Sequence, residues 1–323
     1  MSKRRKRIKL KKNVKKFLIY FIVAIVLLVI VINFAIKKYQ EYKYHQTIEY
    51  KLLQKNYSMD EISLLNNNFD EEYLNNLINE DYNENLIKFL KEKYFIRNNL
   101  DRYLDYQKKN KKLEISEIIR LVNVNRDIDY YEDIKDSDLN KDVLVLVNKY
   151  YKLPSDYVPQ NLLKVSASYG YEGNIVRSDV LESFINMAEA AKNEDIVLII
   201  NSSYRSYDDQ EDIWQYRKAN SGQKKADQYA ARAGHSEHQS GLAIDIAQFN
   251  SKEQDFENTP AFTWLTNHAH EYGFILRYPK DKEDITGYEY ESWHYRYVGI
   301  ETATKIHEEN ITFDEYYAYY LDK

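Results

Sequence analysis

The pattern of hydrophobic and polar positions divides the chain into three parts. Residues 17–36 form an unbroken apolar run in which Asn33 is the only strongly polar residue. In residues 40–140, apolar side chains recur every three or four positions, which is typical of short amphipathic helices. After Pro154, helical spacing is mixed with the alternating pattern of strands. We therefore predict a long apolar helix, a helical region and a mixed domain.

The apolar run predicts a membrane span. Its twenty residues would form a helix about 30 Å long, which matches the core of a bilayer. Ten Lys or Arg residues within 1–16 place the N-terminus in the cytoplasm. A cleaved signal peptide is the second interpretation, although no small-x-small cleavage site precedes Lys37. A buried core helix is the third. We expect a cytoplasmic tail at 1–16, a single span at 17–36 and an extracytoplasmic remainder, anchored in a bacterial cell membrane.

The helical region is expected to cover residues 37–141. Ser58 and Glu61 have the spacing of a capping box, in which both side chains satisfy free backbone amides at a helix start. A string of short helices there would form a stalk or spacer. A module that binds a partner is the alternative.

Residues 142–323 predict an α+β domain with a small antiparallel sheet flanked by helices. Five apolar residues share one helix face: Leu181, Phe184, Met187, Ala188 and Ala191. Thr259-Pro260 should begin another helix, and Gly273 should end it. Four segments are expected to be strands: Ile196–Ile200, Leu242–Ile246, Phe274–Tyr278 and Tyr288–Tyr297.

Composition and charge limit which metal ligands the chain can use and which partners it can bind. The 323 residues include no cysteine, so a metal site would have to use His, Asp and Glu. Residues 37–323 keep 36 of the 46 basic residues and all 51 acidic ones, a net charge of −15. Nucleic-acid binding by this part is therefore not expected, because phosphate contacts need concentrated positive charge.

Three polar clusters follow or interrupt apolar segments, at residues 201–210, 234–245 and 289–297. Asp245 lies inside an apolar strand, where an unpaired carboxylate would be costly to bury, so it needs a cation. His238 and His294 could join it as a three-ligand set that leaves zinc an open position. An ion-paired aspartate beside two core histidines fits the spacing equally well.

Glu291 is a candidate general base because it stands three residues before His294. On a regular strand, residues three apart face opposite sides of the sheet. The two can therefore share a site only if a bulge or a strand end intervenes. Glu237, beside His238, is the competing base, and an exposed charge on an edge strand is the other interpretation of Glu291.

Arg205 follows an apolar strand, so its guanidinium could bind a terminal carboxylate or an oxyanion. An ion pair with Asp208 or Asp209 is the alternative. A Ser–His–Asp triad with Ser236 or Ser240 as nucleophile is the rival chemistry, but no Gly-x-Ser-x-Gly elbow surrounds either serine.

Over residues 142–300, these clusters resemble the zinc D-Ala-D-Ala carboxypeptidase family of the vancomycin-resistance type. The residues that carry the resemblance are Ser202-Ser-Tyr-Arg205, Ser236-Glu-His-Gln-Ser-Gly-Leu-Ala-Ile-Asp245 and Glu291-Ser-Trp-His-Tyr-Arg-Tyr297. The resemblance implies a hedgehog/DD-peptidase-like zinc fold. It also implies Zn²⁺ held by His238, Asp245 and His294, with Glu291 as general base. Arg205 would act beside the scissile bond, and it would bind substrate together with Gln210 and Ser236.

The function implied by the resemblance is removal of the terminal D-alanine from peptidoglycan stem peptides, from a D-Ala-D-Ala end or from an L,D-linked tetrapeptide end. A peptidoglycan endopeptidase, or a non-catalytic wall-binding or scaffold protein on the same fold, is the alternative. Three positions depart from the family pattern: Ser203 replaces a common glycine, and Ala233 and Ser292 replace common prolines.

Overall fold

The computed structural model describes residues 11–250 and 253–322. These residues fall into two compact units that are divided between Glu92 and Lys93.

The described part of the first unit is helical, and its first helix is a long one that contains the predicted membrane span. Its helices are α1 (Lys12–His45), α2 (Ile48–Gln54), α3 (Met59–Asn68), α4 (Glu71–Leu77) and α5 (Glu84–Leu90). Helix α1 has no buried residue, and its most apolar window has a mean hydropathy of 3.1. Within the described residues, it is the one helix long and apolar enough to cross a membrane.

The short helices α2 to α5 begin at side chains that accept a hydrogen bond from a free backbone amide. These N-terminal caps are Thr47, Ser58, Asp70 and Asn83. The capping box predicted at Ser58 and Glu61 is confirmed. The predicted string of short helices is likewise confirmed here.

The second unit combines helices with small sheets. Its α-helices are α6 (Leu100–Lys109), α7 (Ile115–Asn123), α8 (Ser178–Lys192), α9 (Tyr207–Ser221), α10 (Gln223–Tyr229), α11 (Pro260–His268), α12 (Glu283–Thr286), α13 (Ile300–Glu309) and α14 (Phe313–Tyr316). A 3-10 turn, Ala269–Tyr272, extends α11 to Gly273, whose backbone is left-handed, so the predicted helix end is confirmed. Near α7, Leu121 and Val124 pack against Ile285 of α12.

In the part of the chain that the structure describes, eight short strands form three sheets. They are β1 (Lys135–Asp136), β2 (Tyr151–Lys152), β3 (Leu162–Lys164), β4 (Ile175–Arg177), β5 (Leu198–Ser202), β6 (Ala243–Gln248), β7 (Phe274–Leu276) and β8 (His294–Tyr297). The largest is a four-stranded antiparallel sheet in the order β5–β6–β8–β7. This sheet and its flanking helices confirm the predicted α+β class.

The main core lies between helix α8 and the four-stranded sheet. Phe184 and Met187 of α8 are fully buried and share one apolar cluster with Ile200 of β5 and Ile244 of β6. On β6, Ile244 and its neighbour Ala243 are both inaccessible to solvent, so both faces of this strand are covered. Asp245 therefore lies in a strand that offers its carboxylate little water.

The strand predicted for Tyr288–Tyr297 is wrong over its first six residues, since β8 begins only at His294. Only Trp293, at the end of this segment, bonds to a neighbouring strand, since its carbonyl accepts the N–H of Ile246 in β6, and the residues before it bond elsewhere. Glu289 donates its N–H to the carbonyl of Gln228, and Glu291 donates to the carbonyl of Tyr278. These separate bonds hold the segment as a loop at the edge of the sheet.

Candidate active site

The register of the sheet brings two of the predicted residues together. Asp245 of β6 is paired with His294, the first residue of β8, and with Ser202 beside a bulge in β5. Neighbouring residues across an antiparallel pair carry side chains on the same face. His294 Nδ1 consequently lies 3.0 Å from Asp245 Oδ1. The two come from strands that are 49 residues apart in sequence.

His238 reaches the same point from a buried 3-10 turn, Glu237–Ser240. Its Nδ1 lies 2.7 Å from the carbonyl oxygen of Ser203, which fixes the ring. Its Nε2 then faces Asp245 Oδ1 at 3.5 Å. The Ser203 side chain points elsewhere, because its hydroxyl binds Asn174 and the amide of Ile175. Serine at this position therefore leaves the carbonyl free to hold His238.

The three side chains form a donor set that fits a metal ion. One ligand atom from each of His238, Asp245 and His294 lies within 4.8 Å of the others. Burial lowers the pKa of His238 to about 4, with the positive charge of Arg205 as the second cause. It therefore offers a neutral nitrogen at neutral pH. Two nitrogens and one carboxylate oxygen are ligands that zinc prefers, and three protein ligands are typical of a catalytic zinc site.

The electrostatics of the site also favour a cation. Burial opposes ionisation of Asp245, but the imidazoles of His238 and His294 outweigh it and hold the Asp245 pKa well below its usual range. Burial likewise opposes a charge on His294. The neighbouring carboxylates of Asp245 and Glu237 outweigh that opposition and raise the pKa of His294 to about 9. The position between the three donors thus attracts positive charge.

Glu291 lies in the loop before β8, with Oε2 3.8 Å from His294 Nδ1. The strand end at His294 permits this, so the condition set by the sequence for a shared site is met. Burial raises the pKa of Glu291 to about 7, against the opposing charge of His294. A carboxyl group that titrates near neutral pH can both accept and return a proton.

Arg205 faces the donor set from the segment between β5 and α9. Its Nη1 donates to Gln210 Oε1 at 2.9 Å, and Gln210 in turn donates to the carbonyl of Ala231 at 2.7 Å. Asp209 instead accepts hydrogen bonds from Ser206 in a capping box, so it is not the partner of Arg205. Burial lowers the Arg205 pKa, and its Nε is buried without a hydrogen-bond partner.

A cavity of about 570 Å³ unites these residues. Its lining includes all seven residues predicted from sequence: Arg205, Gln210, Ser236, His238, Asp245, Glu291 and His294. It also includes side chains that the sequence analysis did not assign, chiefly Tyr278, Tyr288, Trp293 and Arg217. The Tyr278 ring lies 5.0 Å from the His294 ring between centroids. The many aromatic residues near the third polar cluster were the sequence feature that could have predicted part of this cavity wall.

The rival arrangements are less well placed. Ser240 is fully buried, and its hydroxyl donates to the carbonyl of Glu237 and accepts from the amide of Leu242. Ser236 lines the cavity, but both nitrogens of His238 face other partners, Nδ1 the carbonyl of Ser203 and Nε2 the carboxylate of Asp245. Glu237 is fully buried and forms ion pairs with two arginines, so it is a poorer candidate for the general base than Glu291.

Comparison with known proteins gives a consistent result. Residues 173–300 match the profile of the VanY family, described as D-alanyl-D-alanine carboxypeptidase. The chain is 40% identical over 204 residues to YodJ of Bacillus subtilis (strain 168), covering 58% of this chain and 74% of that protein. It is 33% identical over 181 residues to the bifunctional D-Ala-D-Ala dipeptidase and D-Ala-D-Ala carboxypeptidase VanXYC of Enterococcus gallinarum, covering 54% and 94%.

A solved structure of the LdcB LD-carboxypeptidase superposes with a TM-score of 0.55 at 37% identity, covering 58% of this chain and 91% of that one. Residues 173–300, which match the family profile, include the four-stranded sheet and the three polar clusters described above. Fold, site geometry and sequence therefore agree, and the chain belongs to the VanY family of D-alanyl-D-alanine carboxypeptidases.

Proposed function

We propose that this protein is a membrane-anchored zinc carboxypeptidase that removes the C-terminal D-alanine from peptidoglycan stem peptides. The observation that carries the proposal is the convergence of donor atoms from His238, Asp245 and His294 in one cavity with Glu291 and Arg205. The names of the family and of VanXYC, which refer to D-Ala-D-Ala carboxypeptidases, support the choice of substrate.

His238 through Nε2, Asp245 through a carboxylate oxygen and His294 through Nδ1 would hold the zinc ion. When bound, zinc supplies Lewis-acid chemistry, because it polarises a carbonyl and lowers the pKa of water. The carbonyl of Ser203 keeps the His238 ring in the required orientation.

Glu291 is the proton carrier of the proposed reaction. Its carboxylate takes a proton from the attacking water, whose oxygen forms the new bond to the scissile carbonyl carbon. The peptide C–N bond then breaks, and Glu291 returns the proton to the amine of the departing D-alanine. The raised pKa of Glu291, about 7, suits both steps at neutral pH.

Arg205 would bind the terminal carboxylate of the substrate. Gln210 holds the guanidinium through Nη1, and the free Nε can donate to a substrate oxygen. Because Gln210 is itself tied to Ala231, the fork is fixed before substrate arrives. Ser236 lines the same cavity and would provide a further polar contact. Together they favour cleavage of one residue at a peptide end.

The anchor would hold the enzyme next to its substrate. We propose a cytoplasmic tail (1–16), a membrane span (17–36), a helical spacer (37–141) and a carboxypeptidase domain outside the membrane (142–323). Helix α1 (Lys12–His45) supports the span by its length and composition. The part of the spacer from Lys93 onward belongs to the same compact unit as the catalytic domain.

The test uses the full chain in detergent, with muropeptides that end in D-Ala-D-Ala or in the L,D-linked alanine of a tetrapeptide. Mass spectrometry would follow the loss of a single alanine, with and without chelator. We expect the D,D end to be trimmed, and the L,D end is the second candidate. Loss that stops with chelator and in Glu291→Gln supports the proposal. No loss from either substrate, in folded protein supplied with zinc, contradicts it.

A further inference from the structure

A buried group of charges lies behind His294, on the Nε2 side of its ring. The carboxylate of Glu237 is the centre of this group. Its Oε1 accepts one hydrogen bond from Arg277 Nε at 2.7 Å and one from Arg296 Nη1 at 2.9 Å. The side chains of all three are completely inaccessible to solvent. Two donors on one oxygen hold the Glu237 carboxylate in a single orientation.

That orientation turns the other oxygen toward a zinc-ligand candidate. Glu237 Oε2 and His294 Nε2 are both buried, neither has a hydrogen-bond partner, and they lie 3.6 Å apart. Buried polar atoms are nearly always paired in folded proteins, so two facing unpaired atoms indicate an interaction that tightens in another state. With Nδ1 of His294 turned to the metal position, a neutral ring carries its hydrogen on Nε2.

We infer that Glu237 is a positioning residue for the metal site: its Oε2 accepts the Nε2–H of His294 and thereby fixes Nδ1 toward the zinc. This inference rests on the zinc site of the proposed function. Histidines that bind metals usually donate their second N–H to a carboxylate or carbonyl, which sets the tautomer and orients the ring. His238 has such a partner in Ser203, and Glu237 completes the pattern for His294.

Two neighbouring residues of one turn, Glu237 and His238, would thus act at two different zinc ligands. His238 faces the metal position itself, whereas Glu237 supports His294 from behind. Arg277 extends the group by donating to Asp314 at 2.6 Å. Asp314 is a suitable comparison residue, because it is a buried carboxylate on the same arginine and, among the described residues, makes no hydrogen bond or ion pair with His294.

The experiment compares Glu237→Gln with Asp314→Asn in the full chain. Each change replaces a buried carboxylate on Arg277 by an amide of the same shape. Competition with a chelator would measure zinc affinity in protein shown to be folded by circular dichroism. We expect Glu237→Gln to bind zinc about 10- to 100-fold more weakly, and Asp314→Asn to bind like the wild type. Equal losses in both variants would show a general structural role and overturn the inference. A wild type that binds no zinc would defeat the proposed function as well.

A second measurement needs no variant. Zinc-loaded wild type labelled with ¹⁵N-histidine would be examined by long-range ¹H–¹⁵N NMR. We expect His294 to bind zinc through Nδ1 and to show an Nε2–H that exchanges slowly with water. The half-exposed His268, at 39% side-chain exposure, is the internal control for fast exchange. Zinc on Nε2 of His294, or an Nε2–H that exchanges as fast as that of His268, would overturn the inference.

Discussion

The second unit contains two buried polar clusters, one around Lys149 and one in the candidate active site. Their hydrogen-bond partners lie in different places. Lys149 is almost fully buried, and its ammonium group donates to the carbonyls of Asp227 and Gly287. The same group lies 4.3 Å from the ring centroid of Tyr130 and 4.4 Å from that of Tyr288. Burial lowers the Lys149 pKa to about 8, so it remains mainly charged at pH 7. Its hydrogen bonds join separate segments.

In the candidate active site, by contrast, the donors of His238, Asp245 and His294 converge on one another beside an open cavity. Glu291 and Arg205 face the same space. A buried charge whose donors are satisfied by backbone carbonyls stabilises the fold, whereas a buried donor set that converges on a cavity is arranged to bind something. Burial and charge alone do not distinguish the two clusters, but the location of the hydrogen-bond partners does.

The largest effect is expected for Glu291→Gln. The amide keeps the size of the side chain but cannot carry the proton, so kcat should fall by about 10²- to 10⁴-fold. Zinc content should stay unchanged. Alanine release and metal analysis on the same samples check both statements. The exposed Glu301→Gln serves as control, and an active Glu291→Gln enzyme would remove this residue from the chemistry.

Lys149→Met tests the other side of the contrast. The change leaves the buried carbonyls of Asp227 and Gly287 without their donor, so we expect the free energy of unfolding to fall by about 2–4 kcal/mol. Zinc affinity in the folded variant should be retained. Urea unfolding of the variant and of Lys152→Met, a change at an exposed lysine nearby, gives the measurement. Loss of zinc binding without loss of stability would contradict the distinction between a structural Lys149 cluster and a separate metal site.

Arg205→Lys tests the substrate end of the site. Lysine keeps the charge but loses the fork, and a charge-assisted hydrogen bond is worth about 1.5–3 kcal/mol. We therefore expect kcat/KM to fall about 10- to 100-fold on a peptide with a free terminal carboxylate. On a peptide whose end is amidated, wild type and variant should be equally poor. Exposed Asp208→Asn is the control, and the same loss on both peptides would argue against carboxylate binding.

The smallest effect is expected for His235, which we place among the buried polar residues that stabilise the fold. Its ring is buried, with Nδ1 2.7 Å from the carbonyl of Asn148. Burial lowers its pKa to about 4, below the value near 6.5 of an unfolded chain. The unfolded state therefore binds the proton first, and stability present above pH 6.5 is lost as the pH falls.

From pH 8 to pH 5 this residue should account for about 2 kcal/mol of lost stability. Urea unfolding across this range should show a shallower decline for His235→Gln than for the wild type. Identical declines would show that His235 is not the source.

The sequence was sufficient to place the ligand candidates because each follows or interrupts an apolar segment. Asp245 in an apolar strand was informative by itself, since a buried carboxylate needs a cation. The start of β8 at His294 could not be predicted, because the preceding loop is held by backbone bonds to distant segments such as Tyr278. Tertiary contacts outweighed the strand preference of that aromatic run.

The contacts of Glu237 could also not be predicted from the sequence. Its partners Arg277 and Arg296 lie 40 and 59 residues away, and only the antiparallel order of the sheet brings them together. The Lys149 cluster has the same origin, since Gly287 is 138 residues distant. Local patterns predict which residues carry chemistry, whereas long-range pairing decides which of them support the others.

The most direct test removes the metal and returns it in counted amounts. The full chain would be stripped with chelator, dialysed and titrated with zinc while D-alanine release from a D-Ala-D-Ala muropeptide is measured. We predict no release from the stripped protein and full recovery at one zinc per chain, with no recovery in Asp245→Asn. Release that persists in protein verified to be free of metal would contradict the zinc site formed by His238, Asp245 and His294.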